Sequence, residues 1–173
     1  HDIKSPSADL EGLCVDIANI NSPNQIVISG DAGDIDVAIE RLLSTPAAEG
    51  ARARKLNVSA PFHSRLMATI EPSFRDALEA SAEHWTPDES ARVLSNTSGE
   101  IHDGSRDGLI ERLCRQISGE VRWTQNMNVI VNHEPSRIIE VGPGRPLRGF
   151  FRGIGASVTS ITNVVSARRA LLS

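Results

Sequence analysis

Apolar positions fall into short runs broken by turn chemistry. Asp9–Cys14 predicts a short helix, and Val15–Asn19 is a short β-branched run. Asn21-Ser22-Pro23-Asn24 is a turn, because Asn and Ser bond their own backbone and Pro presets φ. Gln25–Ser29 predicts a strand through Ile26, Val27 and Ile28. Gly30–Gly33 reads as a loop, with Asp34 as N-cap of a helix that carries Val37, Ile39, Leu42 and Leu43 through Ser44. Pro46–Gly50 ends that helix, and Arg54–Ser59 predicts a third strand.

A long amphipathic stretch follows Pro61 and His63. Met67, Ile70, Phe74, Ala77 and Ser81 recur at helical spacing, with Trp85 one turn on. Pro72 must start or kink that helix. Arg92–Ser95 predicts a short strand and Ser98-Gly99-Glu100 a turn. Gly108–Ile117 predicts a helix with Leu109, Leu113 and Ile117 on one face and Gly119 at its C-terminal end. Arg122–Asn132 predicts another, with Trp123, Met127, Ile130 and Val131 inward. Arg137–Val141 reads as a buried strand, Leu147–Phe151 as a helical turn or two, Val158–Ile161 as a last strand and Val165–Leu172 as a terminal helix. Alternation of this kind argues an α/β chain with a largely parallel sheet, preceded to about Val58 by a small α+β part.

The 173 residues fit one ordinary domain, or one plus a small subdomain. Eighteen basic against twenty-two acidic residues leave a net charge of −4, which argues against nucleic acid as the main partner. Aromatics are 3% with no Tyr, too few for a base-stacking platform. No run of about 18 apolar residues is present, so no membrane span is expected, and the first residues show no apolar signal region. Cys14 and Cys114 are far apart and outside any C-x-x-C; they fit a cytoplasmic setting and no metal site.

Chemistry concentrates in a few places. His63, in Ser59-Ala60-Pro61-Phe62-His63-Ser64, sits at a predicted strand-to-helix junction, where α/β folds expose reactive groups. Histidine is the usual general base near neutral pH, and a structural histidine fits the same position. Glu140-Val141-Gly142-Pro143-Gly144 could cradle phosphate, but Pro143 removes an N–H and no third glycine follows, so a tight structural turn is the better reading. Arg52, Arg54 and Lys55 form a basic cluster that is either a solvated face or a dock for an acidic partner. No G-x-S-x-G nucleophile elbow occurs in the sequence.

Five segments, in order, resemble the malonyl-CoA:acyl carrier protein transacylase family, which includes the acyltransferase domains of polyketide and fatty acid synthases. They are Asn19–Gly30, Val58–Met67, Leu94–Gly99, Gln116–Trp123 (with Glu120 where the family has Pro) and Glu140–Gly144. The resemblance implies the C-terminal part of an α/β-hydrolase-like core, residues 59–173, and an incomplete ferredoxin-like subdomain, residues 1–58. That subdomain would have four strands, and three are predicted here. The resemblance also implies ping-pong transfer of malonyl from coenzyme A to a carrier protein's phosphopantetheine thiol, with no bound cofactor. His63 matches the family's base, and Gln116 matches the residue whose backbone carbonyl orients it. Asn21 matches an asparagine near the acyl pocket. Phe62 matches the position where an aromatic ring goes with malonyl, by filling the space an α-methyl would need. The basic cluster at Arg52, Arg54 and Lys55 would face the carrier protein. The serine, the oxyanion glutamine and the carboxylate-clamping arginine have no match here, so a companion N-terminal polypeptide is expected to bring them. Two other readings are a non-catalytic interaction module and an acyl hydrolase of the same family.

Overall fold

A computed structural model describes residues 6–172. The chain is mixed α/β and divides into two compact units, His1–Trp123 and Thr124–Ser173. In the first unit a 3₁₀ turn at Pro6–Leu10 leads into an antiparallel hairpin, β1 (Val15–Ser22) and β2 (Gln25–Gly30), then helix α1 (Ala32–Leu43). The unit continues through a 3₁₀ turn at Arg65–Ile70, α2 (Glu71–Ser81) and α3 (Arg106–Ser118). α4 (Trp123–Asn132) opens the second unit, followed by β3 (Ile138–Val141), α5 (Pro146–Gly153), β4 (Val158–Ile161) and α6 (Val164–Leu172). No helix among the described residues is long and apolar enough to cross a membrane.

The β1–β2 register slips twice, between Ile17 and Asn19 and between Ile20 and Ser22, which sets Ala18 and Asn21 in bulges. The first bulge explains why Val15 and Ala18, three apart rather than two, are the buried positions of β1. It also turns the strand toward Val121, whose N–H donates to Ala18 O at 2.7 Å while its carbonyl accepts from Ile20 N at 3.0 Å. Gly30 is required by close approach, because a Cβ there would lie 2.1 Å from the Cys14 carbonyl. Leu10, Val15 and Ala38 form a core with Ile17, Ile28, Ile35 and Leu42 around it. A second core joins Ala82, Ile110 and Cys114 with Phe74, Leu78 and Trp85.

Several sequence expectations are corrected. Arg54–Ser59 is not a strand: residues 51–58 are exposed and without regular structure, so β-propensity there finds no partner among the described residues. The region therefore shows two of the three predicted strands, and the one expected before His1 lies outside the described residues. Arg92–Ser95 forms only the isolated bridge Leu94↔Ile101. Asp31 rather than Asp34 caps α1, accepting from Gly33 N at 2.8 Å and Asp34 N at 3.2 Å. Asp34 instead accepts from Cys14 N at 2.7 Å. The inward face of α1 is Ile35, Ala38 and Leu42, while Val37 and Leu43 are exposed. α2 restarts at Glu71 with Pro72 in its first turn, and the tighter 3₁₀ winding before it shifts the phase of the helix. Its inward residues are thus Phe74 and Leu78, and Ala77 and Ser81 are exposed. β3 is parallel to β4, but the buried residue of β3 is Glu140, and Val141 is 77% exposed.

Candidate active site

α3 begins at Ser105, whose hydroxyl accepts from Gly108 N at 3.1 Å, and runs to Ser118. The last carbonyls of any helix lack intrahelical donors and must find others. Here Arg115 O accepts from Gly119 N at 2.8 Å. Ile117 O accepts from the backbone N–H of His63 at 3.0 Å. Gln116 O lies 2.8 Å from His63 Nδ1, and Gly119 O lies 3.2 Å from the same atom. Both neighbours of Nδ1 are carbonyls, which only accept, so Nδ1 carries the proton and donates. In the neutral ring Nε2 then bears the free lone pair. Gly119 keeps this end of α3 open, because a Cβ there would lie 2.5 Å from the Arg115 carbonyl.

His63 has φ +60°, a left-handed conformation. Histidine visits it more readily than most side chains, yet such backbone costs roughly 1–3 kcal/mol and persists only where neighbours fix it. The neighbours are tightly placed. Ser64 is fully buried and its hydroxyl donates to Pro61 O at 2.6 Å. Arg65 donates its backbone N–H to Asp16 Oδ2 at 2.7 Å and its Nε to Oδ1 and Oδ2 at 2.9 and 3.0 Å. Burial opposes the Asp16 charge, but the bonds and charge of Arg65 outweigh it and hold the carboxyl below the usual carboxylate range. Ser118 donates to the Glu71 carboxylate, tying the end of α3 to α2. His63, Arg65, Asp16, Ser118 and Glu120 line one open depression of about 850 Å³.

The remaining sequence candidates are dispersed. Phe62 precedes His63 but is 51% exposed and does not line this depression. Asn21 occupies the second bulge of β1 and is half-buried. Arg52, Arg54 and Lys55 are all exposed, and Lys55 pairs with Asp36. Asp16 and Arg65 were not singled out from sequence. Forty-nine positions separate them, and no local spacing links an acid in a strand to an arginine at the start of a 3₁₀ turn. Among the described residues no group of three or more His, Cys, Asp or Glu side chains is placed to hold a metal ion.

No protein-family model matches the chain. The malonyl CoA-acyl carrier protein transacylase of Bacillus subtilis (strain 168) is 33% identical over 151 residues, 87% of this chain and 45% of the relative. The polyketide biosynthesis malonyl CoA-acyl carrier protein transacylase BaeC of Bacillus velezensis is 34% identical over 140 residues, 81% of this chain and 46% of the relative. Over the aligned residues the chain is homologous to malonyl CoA-acyl carrier protein transacylases. Solved structures agree. A malonyl-transacylase in complex with a type II polyketide synthase acyl-carrier protein aligns at TM-score 0.79 and 27% identity, over 96% of this chain and 52% of its own. The malonyl CoA-acyl carrier protein transacylase of Clostridium perfringens aligns at TM-score 0.74 and 29% identity, over 91% of this chain and 48% of its own. The chain spans about half the length of the curated relatives it matches.

Proposed function

We propose that this chain supplies the basic side of an acyl-transfer site that moves malonyl from coenzyme A to the phosphopantetheine thiol of an acyl carrier protein. The observation that carries the reading is the bond from His63 Nδ1 to the Gln116 carbonyl, which leaves Nε2 as the base. The serine comes from a G-H-S-x-G segment outside these 173 residues. Nε2 takes the serine proton as Oγ attacks the malonyl thioester carbonyl, and the tetrahedral adduct collapses with loss of the C–S bond. The coenzyme A thiolate leaves with the proton returned by the imidazolium. The carrier thiol then gives its proton to Nε2, attacks the acyl-serine ester and restores the serine. The carrier-bound relative supports an acyl carrier protein as partner, and Arg52, Arg54 and Lys55, exposed and basic, would suit an acidic partner surface. No cofactor is needed, since coenzyme A enters as the substrate's thioester, and a cytoplasmic setting suits these partners.

In the same reading residues 1–58 correspond to a ferredoxin-like subdomain and 59–173 to the C-terminal part of a hydrolase-like core. Asn21 contacts the acyl group. Phe62, next in sequence to His63, disfavours an α-methyl on the substrate, worth about 10–200-fold. The test is malonyl transfer to holo carrier protein by this chain joined to a G-H-S-x-G segment. His63→Ala is expected to lose about 10²–10⁴ in rate. Unchanged transfer by that variant would overturn the reading, and malonate released without carrier thiol would mark hydrolysis in place of transfer.

A further inference from the structure

The strained backbone at His63 needs holding on both sides. Upstream and through the ring, the carbonyls of Gln116, Ile117 and Gly119 do this. The residues that follow are held from a different element. Asp16 of β1 takes the backbone N–H of Arg65, two positions past His63, and grips the guanidinium of the same residue. A bond to the backbone fixes the path of the chain, which an ordinary surface ion pair between side chains does not. The pair also lines the depression that His63 lines, so it stands at the candidate site itself.

We propose that Asp16 and Arg65 are positioning residues for acyl transfer, a clamp between β1 and the His63 loop that keeps Nδ1 on the Gln116 carbonyl and Nε2 free. This rests on His63 being the base. The clamp acts through the ring, so its signature is read at the ring rather than in stability. In the full chain, nitrogen-15 and proton NMR of the His63 imidazole should show a protonated, slowly exchanging Nδ1 and an unprotonated Nε2. Asp16→Ala should lose the slow Nδ1–H signal while the amide signals of β1 and β2 persist. Asp16→Glu, which keeps a carboxylate acceptor, should recover part of it. An Nδ1–H equally protected in native chain and Asp16→Ala would overturn the clamp. Where Asp16→Ala does not fold, Arg65→Pro decides, since proline is tolerated at the first position after the Ser64 N-cap and removes both the backbone N–H and the guanidinium that Asp16 holds: faster Nδ1–H exchange supports the clamp and unchanged exchange overturns it. The two readings fail separately. The clamp fails if the ring signal ignores Asp16, and the base assignment fails if acyl transfer ignores His63.

Discussion

Gln116 is expected to tolerate replacement at a site where His63 is not. Its contribution is the backbone carbonyl 2.8 Å from Nδ1, which alanine retains. Gln116→Ala in the assembled enzyme should leave kcat/KM within a few-fold of native, beside the loss of about 10²–10⁴ for His63→Ala. Steady-state transfer to holo carrier protein measures both, and a severe defect in a folded Gln116→Ala would show that the amide side chain matters. The same residue shows what was readable in advance. Fifty-three positions separate Gln116 from His63, and their pairing came from family resemblance. The physical reason a helix end should serve, its orphan carbonyls and negative pole, was visible once α3 was placed. Asp16 was not readable, because its importance comes from a loop folding back across β1.

At the scale of elements, Glu140 converts the Glu-Val-Gly-Pro-Gly turn from a motif into a joint. Its carboxylate accepts from Leu147 N at 2.7 Å in the first turn of α5 and from Ser160 Oγ at 2.8 Å on β4. One buried side chain on β3 thereby caps α5, whose own Arg145 supplies no cap, and fastens the β3–β4 pair. Burial pushes its pKa up, but the hydroxyl, the N–H groups of Leu147 and Arg148 and the Arg145 charge bring the net value below normal. A depressed carboxyl pKa in the folded state stabilises above the unfolded value, and the gain is lost as pH falls through the folded one. Glu140→Gln should therefore lower the urea midpoint at neutral pH, and the gap to native should close in acid. A gap that stayed constant across the carboxylate range would assign the effect to packing instead. Elements with local signals were legible: α3 with Gly119 behind it, β4, and the restart of α2 at Pro72. Arg54–Ser59 misled because β-branched or extended character becomes a strand only beside a partner. The face of α2 was misjudged where a 3₁₀ turn reset the helical phase, and in α1 the inward residues are Ile35, Ala38 and Leu42.

For the whole molecule the decisive question is how much of an acyl-transfer site 173 residues can assemble. Base and nucleophile act as a unit, so one without the other retains little of their joint effect. The chain offers a histidine with a fixed tautomer and an orienting carbonyl, but no G-x-S-x-G segment within its sequence. Its relatives match it over about half their length. Alone, the chain is expected to take up no malonyl from malonyl-CoA and to pass none to a carrier protein. Joined to or mixed with a polypeptide carrying G-H-S-x-G, it should form a malonyl-serine ester detectable by intact mass, and only then label holo carrier protein. Both steps should vanish in His63→Ala. Assembly should also slow amide exchange in β3 and β4, because Ile139 and Val141 are exposed apolar side chains on a short sheet that favours further pairing. Malonyl uptake by the isolated chain would place the nucleophile among these residues and overturn the division of labour. Ester formation that persists in His63→Ala would leave the serine working without this base.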